Sequence, residues 1–224
     1  MQESNVSECS ITKRIYERGH WENRRLCFHR TFKCKILEGR VNVVDSYLIS
    51  EIEGYSPQIG RLISMMNYAR YTTYESVKDL STLQLDHLDD DDSNSIGALL
   101  FHIASIEYFY RTWTFEDRDL NLEEKQFWDP GIKLGELGRE HVKGKDLAYY
   151  LDLLTVERSK TLECFRGRED SWLDIEKPLN HKPSNHYFHW FHVFEDELNH
   201  RGQIRLLRKK RKRAGILEEG SRES

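Results

Sequence analysis

The chain has 224 residues, 38% of them hydrophobic and 12% aromatic, which is enough for one sizeable core and too short for two full domains. Charged residues make up 32%, mean hydropathy is -0.73, and no apolar run approaches the roughly 20 residues of a membrane span, so a helical transmembrane protein is excluded. A net charge of -4 excludes a globally cationic nucleic-acid binder and leaves room for a local basic patch.

The first 20 residues have neither an apolar core nor a small-residue cleavage site, so the sequence reads as cytoplasmic. Cys9, Cys27, Cys34 and Cys164 form no CxxC pair and read as free thiols. Cys27, His29 and Cys34 match no standard zinc-finger spacing. Residues 1–50 hold nine basic and six acidic residues, a balance of +3, so the remaining 174 carry -7. That shift sets residues 1–52 apart as an appendage, within which residues 36–44 read as a short hairpin turning at Glu38-Gly39.

From Ser56 the pattern is helical. Ser56 suits an N-cap and Pro57 a first helical position, and Ile59, Leu62, Ile63, Met66, Ala69, Thr73 and Val77 recur at helical spacing, predicting a helix over about 57–79. Residues 85–92, with five aspartates, read as a solvated loop; a calcium loop would need spaced ligands and a glycine. Ser93 or Ser95 caps a second helix over about 96–114, whose stripe includes Leu99, Ile103, Ile106, Phe109, Tyr110 and Trp113. The polar stretch 117–144 contains at most a short helix near Leu134. A third helix runs over about 145–165 and ends before Gly167. After a loop with Pro178 and Pro183, Ser184 caps a fourth over about 185–212, and residues 214–224 read as a flexible tail. The expected fold is all-α: a four-helix bundle with long connections over residues 53–213.

On a helical wheel His189, His192, Asp196, His200 and Gln203 of the fourth helix fall within about 80° of one another, among aromatics. Burying so many polar groups is costly unless each finds a partner, and a divalent ion satisfies several at once. Only residues one turn apart can share an ion, because four residues separate Cβ atoms by about 5–6 Å and eight residues rise about 12 Å. The available pairs are His192 with Asp196 and Asp196 with His200. A third ligand must come from another helix, and His102, inside the apolar run 98–104, is the candidate.

The segments Leu99-Leu100-Phe101-His102-Ile103 and His200-Arg201-Gly202-Gln203-Ile204 resemble the second-helix and last-helix motifs of the DinB/YfiT-like superfamily of metal-binding four-helix bundles. The likeness covers residues 53–213. It implies a metal triad of His102, Asp196 and His200, with Asp196 standing where the family carries a further histidine. Two histidines and a carboxylate suit zinc first, and also nickel, iron or manganese. The resemblance implies a metal-dependent transferase or hydrolase that activates a thiol or water, with a small-molecule substrate and a low-molecular-weight thiol as cofactor. The alternative is a non-enzymatic, metal-stabilised dimerisation or stress module.

Two readings stand for His189 and His192: acid–base residues lining a pocket above the metal, or hydrogen-bonded core residues. Glu107 reads as a structural partner of Arg201 or a helix end, Gly202 as a point of close helix approach, and Gln203 as a cross-bundle hydrogen-bonding group. Seven of the nine residues 205–213 are basic. They read as a solvated helix end complementing the macrodipole, with nucleic-acid contact as the lesser reading.

Overall fold

Asp170 opens the first helix from a distance. In the computed structural model, which describes residues 47–215, α1 (Pro57–Val77) has Ser56 at its N-cap, but Ser56 Oγ makes no capping bond. It donates instead to Asp170 Oδ1 (2.6 Å), and the same oxygen accepts the N–H groups of Gln58 (2.9 Å) and Ile59 (3.2 Å). A carboxylate satisfies the orphan donors of the first turn and faces the positive end of the helix dipole. The hairpin expected at 36–44, most of the appendage and residues 216–224 lie outside the described residues.

The chain continues through α2 (Thr82–Asp86), α3 (Ile96–Phe115), α4 (Leu122–Lys133), α5 (Gly135–His141), α6 (Leu147–Phe165), a 3-10 turn (Asp170–Asp174) and α7 (His186–Arg213). Ser95, Asp146 and Asn185 cap α3, α6 and α7 by accepting a backbone N–H from three residues on. Asn185 therefore does the work expected of Ser184, whose hydroxyl donates to the Lys177 carbonyl (2.7 Å). The stretch 117–144, expected to be largely irregular, holds two helices. Asn121 and Glu124 form a capping box that starts α4, and Leu134, at φ 53°, separates α4 from α5. No strand runs through the described residues; only the isolated bridges Glu176–Asn185 and Leu179–Lys182 occur.

The long helices α1, α3, α6 and α7 form the bundle. α3 packs on α6 and α7, α1 on α7 and α6, and α4 lies against α3. Two apolar clusters fill it. Ile59, Leu62, Met66, Phe165, Trp190 and Phe194 lie in one, and Leu99, Ile103, Trp128, Tyr150, Leu154 and Ile204 in the other. Each long helix also buries a charged residue that pairs with the others: Arg70, Glu107, Arg158 and Glu197.

The polar surface is more structured than the sequence suggested. Asp89, expected in a solvated loop, accepts from Arg211 Nε (2.8 Å), and Arg211 also donates to the carbonyls of Gln84 and His87. Arg205 and Arg208 bond the hydroxyl and carbonyl of Ser76. The basic end of α7 is thus docked on α1 and the α2 loop through three arginines. No helix of the described residues is long and apolar enough to cross a membrane.

Candidate metal centre

Helices α3 and α7 bring three donors together. His102 Nε2 lies 3.1 Å from Asp196 Oδ2, and His200 Nε2 lies 3.4 Å from Asp196 Oδ1. One ligand atom from each residue lies within 4.8 Å of the others, and this is the group of metal-binding geometry among the described residues. Two atoms bound tetrahedrally to one ion at 2.0–2.2 Å lie about 3.4 Å apart, so the contacts around Asp196 have the spacing of a shared cation. The side chains retain 8% (His102), 12% (His200) and 18% (Asp196) of their exposure, so the cluster is largely buried and keeps a small part of its surface open to solvent.

The tautomer of His102 is set from outside the triad. Its Nδ1 lies 2.8 Å from the carbonyl of Gly131, which can only accept, so Nδ1 carries the hydrogen. The local sequence makes this carbonyl available. Leu134 ends α4, and the N–H of Gly135, which would otherwise continue the helical ladder to Gly131, turns to Asn94 Oδ1 (3.1 Å). Residue 131 must also be glycine. A Cβ there would meet Ser105 Oγ at 2.0 Å and Phe101 Cδ1 at 2.7 Å, so only the bare backbone lets α4 come this close to α3.

With its hydrogen on Nδ1, a neutral His102 turns the lone pair of Nε2 toward a carboxylate oxygen. Two acceptors at 3.1 Å repel unless a proton or a metal cation lies between them. Burial alone would raise the pKa of Asp196, but when His102 and His200 are protonated their N–H groups and positive charges hold it well below the usual carboxylate range. The site favours an ionised carboxylate between two imidazoles, a donor set that fits a divalent ion. A metal-bound histidine generally gives its other N–H to an acceptor; His102 does so, while His200 Nδ1 is buried without a hydrogen-bond partner.

The remaining residues singled out in the sequence are placed as follows. His189 is fully buried between the rings of Tyr110 and Trp113, and its Nε2 donates to the Lys177 carbonyl (2.8 Å). Burial pushes its pKa down, keeping the ring neutral. His192 is partly exposed, one turn before Asp196, with Nδ1 3.0 Å from Glu195 Oε2. Tyr110 packs against both histidines, and burial, with the Asp196 charge, pushes its hydroxyl up to about 12. Glu107 does not meet Arg201. Both its oxygens are taken by Arg158 Nε (2.7 Å) and Arg70 Nη2 (2.8 Å), while Arg201 donates to Thr72 Oγ1 (2.6 Å). Gly202 has no atom within 4 Å of a built Cβ, and Gln203 is exposed, so neither makes the expected cross-bundle contact.

Two features escaped the sequence reading. The Gly131 carbonyl is a backbone atom in a segment read as irregular, and no side-chain pattern announces it. The quartet Arg70, Glu107, Arg158 and Glu197 did leave a signal: each is a charged residue interrupting the buried stripe of a long helix.

A family model described as mycothiol-S-transferase matches residues 61–212, more than half of the chain, and the matched span contains His102, Asp196 and His200. No curated protein matches the chain.

Proposed function

The chain belongs to the mycothiol-S-transferase family, and on that premise we propose that it is a divalent-metal-dependent S-transferase joining a low-molecular-weight thiol to a small-molecule electrophile. The observation that carries this reading is the convergence of His102, Asp196 and His200 from two helices onto one largely buried point. In this reading the three side chains hold the ion, zinc first among those the donor set suits, with nickel, iron and manganese as alternatives. A bound divalent ion would lower the pKa of a thiol so that the thiolate is available at neutral pH.

The protein supplies the rest. His102 is kept in its Nδ1–H form by Gly131, leaving Nε2 to face the ion. Asp196 stays ionised and balances part of the cation's charge. His192, with Nδ1 directed to Glu195, keeps Nε2 as an acceptor for the thiol proton. The sulfur then forms the new S–C bond: in a substitution the leaving group departs with its bonding pair, and in an addition the π pair moves onto the acceptor, which takes the proton back from His192. A closed structural site would need a fourth protein ligand. Glu107 is not available for that role, because two arginines hold both its oxygens, which supports the catalytic reading.

The test combines metal analysis with thiol transfer. Purified protein is expected to carry about one divalent ion per chain and to accelerate loss of mycothiol thiol in the presence of a reactive electrophile. His102→Ala combined with His200→Ala should abolish both while the far-ultraviolet helical signal persists. A protein that binds no divalent ion would end this reading.

A further inference from the structure

One charged side chain from each long helix enters a single buried network. Arg70 of α1 donates through Nε to Glu197 Oε1 (2.9 Å), through Nη2 to Glu107 Oε2 (2.8 Å) and Glu197 Oε2 (3.2 Å), and through Nη1 to the Leu154 carbonyl of α6 (2.7 Å). Arg158 of α6 donates through Nε to Glu107 Oε1 (2.7 Å), and its Nη2 lies 3.5 Å from Glu197 Oε2. Arg70 therefore hydrogen-bonds both carboxylates, while Arg158 bonds Glu107 and adds its charge beside Glu197, at side-chain exposures of 0% for the glutamates and 7% for the arginines.

We propose that Arg70 and Arg158 are positioning residues for the metal centre: by clamping Glu107 and Glu197 they fix the rotation of α3 and α7 at which Asp196 and His200 meet His102. The inference rests on the metal reading above. Glu197 directly follows Asp196 and precedes His200 by three residues, and Glu107 lies five residues beyond His102 on the other ligand helix. A helix turns as a rigid body, so a clamped Glu197 also fixes the direction of Asp196. Apolar packing alone is less exact. A helix rotated about its own axis by about 15–20° displaces a Cβ by about 1 Å, whereas metal–ligand distances hold to about 0.2 Å. The forked, charge-assisted bonds of an arginine narrow that freedom because they specify direction as well as distance.

A buried ion network can also serve only the stability of the bundle, and the chain supplies a matched control. Arg111 and Glu157 form a second buried pair, between α3 and α6, which makes no ion pair with α7. Arg70→Lys and Arg158→Lys keep the charge but replace the fork with a single ammonium; Glu157→Gln disrupts the control pair. Full-length protein freed of metal is titrated with Co2+ and followed by its d–d absorption, with circular dichroism and urea unfolding reporting the fold. The expected result is that the two lysine variants weaken Co2+ binding about tenfold and shift the d–d bands, while Glu157→Gln lowers unfolding stability and keeps wild-type Co2+ affinity and spectrum. Lysine variants with wild-type affinity and spectrum, or a Glu157→Gln that shifts both as far, would overturn the inference. If the wild-type chain itself shows no Co2+ spectrum, it is the metal reading that fails.

Discussion

His102 and Gly131 are joined by a 2.8 Å hydrogen bond that runs from an imidazole of α3 to a backbone carbonyl in the last turn of α4. The bond exists because residue 131 has no Cβ. Gly131→Ala would drive a methyl group into Ser105 and Phe101. The variant is expected to lose about 1–3 kcal/mol of stability from overpacking, and to bind metal about 10-fold to 100-fold more weakly because the histidine loses its orienting acceptor. Gly202→Ala is the paired measurement. Its Cβ would meet nothing within 4 Å in a regular, exposed helix. A gain of about 0.5–1 kcal/mol with unchanged metal affinity is expected there. Urea unfolding and metal titration of the two variants read both effects.

The two histidines that precede Asp196 on α7 should separate in their consequences. His189 is fully buried between two aromatic rings and bonded to the Lys177 backbone, so His189→Ala should cost about 2–4 kcal/mol of stability. His192 is half exposed and touches the fold mainly through Glu195 and ring contacts. His192→Ala should leave metal content and melting temperature nearly unchanged and lower kcat/KM by about 100-fold or more, if its Nε2 receives the thiol proton. Metal analysis and thermal unfolding of both variants, set beside their kcat/KM, separate the two roles.

The helices that carry the cluster were legible because their signals are local. The apolar spacing of 57–77, 96–115 and 186–213 survives reading one residue at a time, and the bounds observed differ by two residues or fewer from those expected. The juxtaposition of His102 with Asp196 and His200 was legible only through the two motifs, since periodicity alone left His192–Asp196 and Asp196–His200 as equal pairs. The helices α4 and α5 were hidden by composition. Their stripe is short, Pro130 and three glycines interrupt it, and the signal that starts α4 is a side-chain and backbone exchange between Asn121 and Glu124. The buried quartet left a signal whose meaning could not be read, for a different reason. A lone arginine such as Arg70 on an apolar face looks like an error until three other helices supply its partners, and that supply is a property of the tertiary fold.

The quartet makes the fold sensitive to acid. Burial alone would raise Glu107, but Arg158 and Arg70 outweigh it and hold the carboxyl down at about 2. The unfolded chain titrates near 4.3. Because the folded value is the lower one, the stabilisation is complete above the unfolded value and is lost as pH falls from there toward about 2. Urea unfolding of the wild-type protein across that window should show stability falling with pH. Glu107→Gln should be less stable than the wild type at pH 7, because two buried arginines then share one carboxylate, and its stability should vary less with pH across the same window. An equal slope in both proteins would place the acid-sensitive group elsewhere.

The end of α7 offers a test of how much of its positive charge is structural. Arg211 is 1% exposed and gives its guanidinium to Asp89 and to the carbonyls of Gln84 and His87, so it ties the last helix to the loop that follows α2. Removing it would leave a largely buried carboxylate without its main cation and two carbonyls without their donor. Arg211→Ala is expected to lose about 3 kcal/mol, whereas Lys209→Ala, two residues earlier and exposed, should stay within about 0.5 kcal/mol of the wild type. Both variants remove one positive charge, so a difference between them in urea unfolding isolates the docking contact from the charge itself. If the two variants unfold alike, the basic end of α7 contributes to stability through its overall charge, and the Arg211–Asp89 contact carries no special weight.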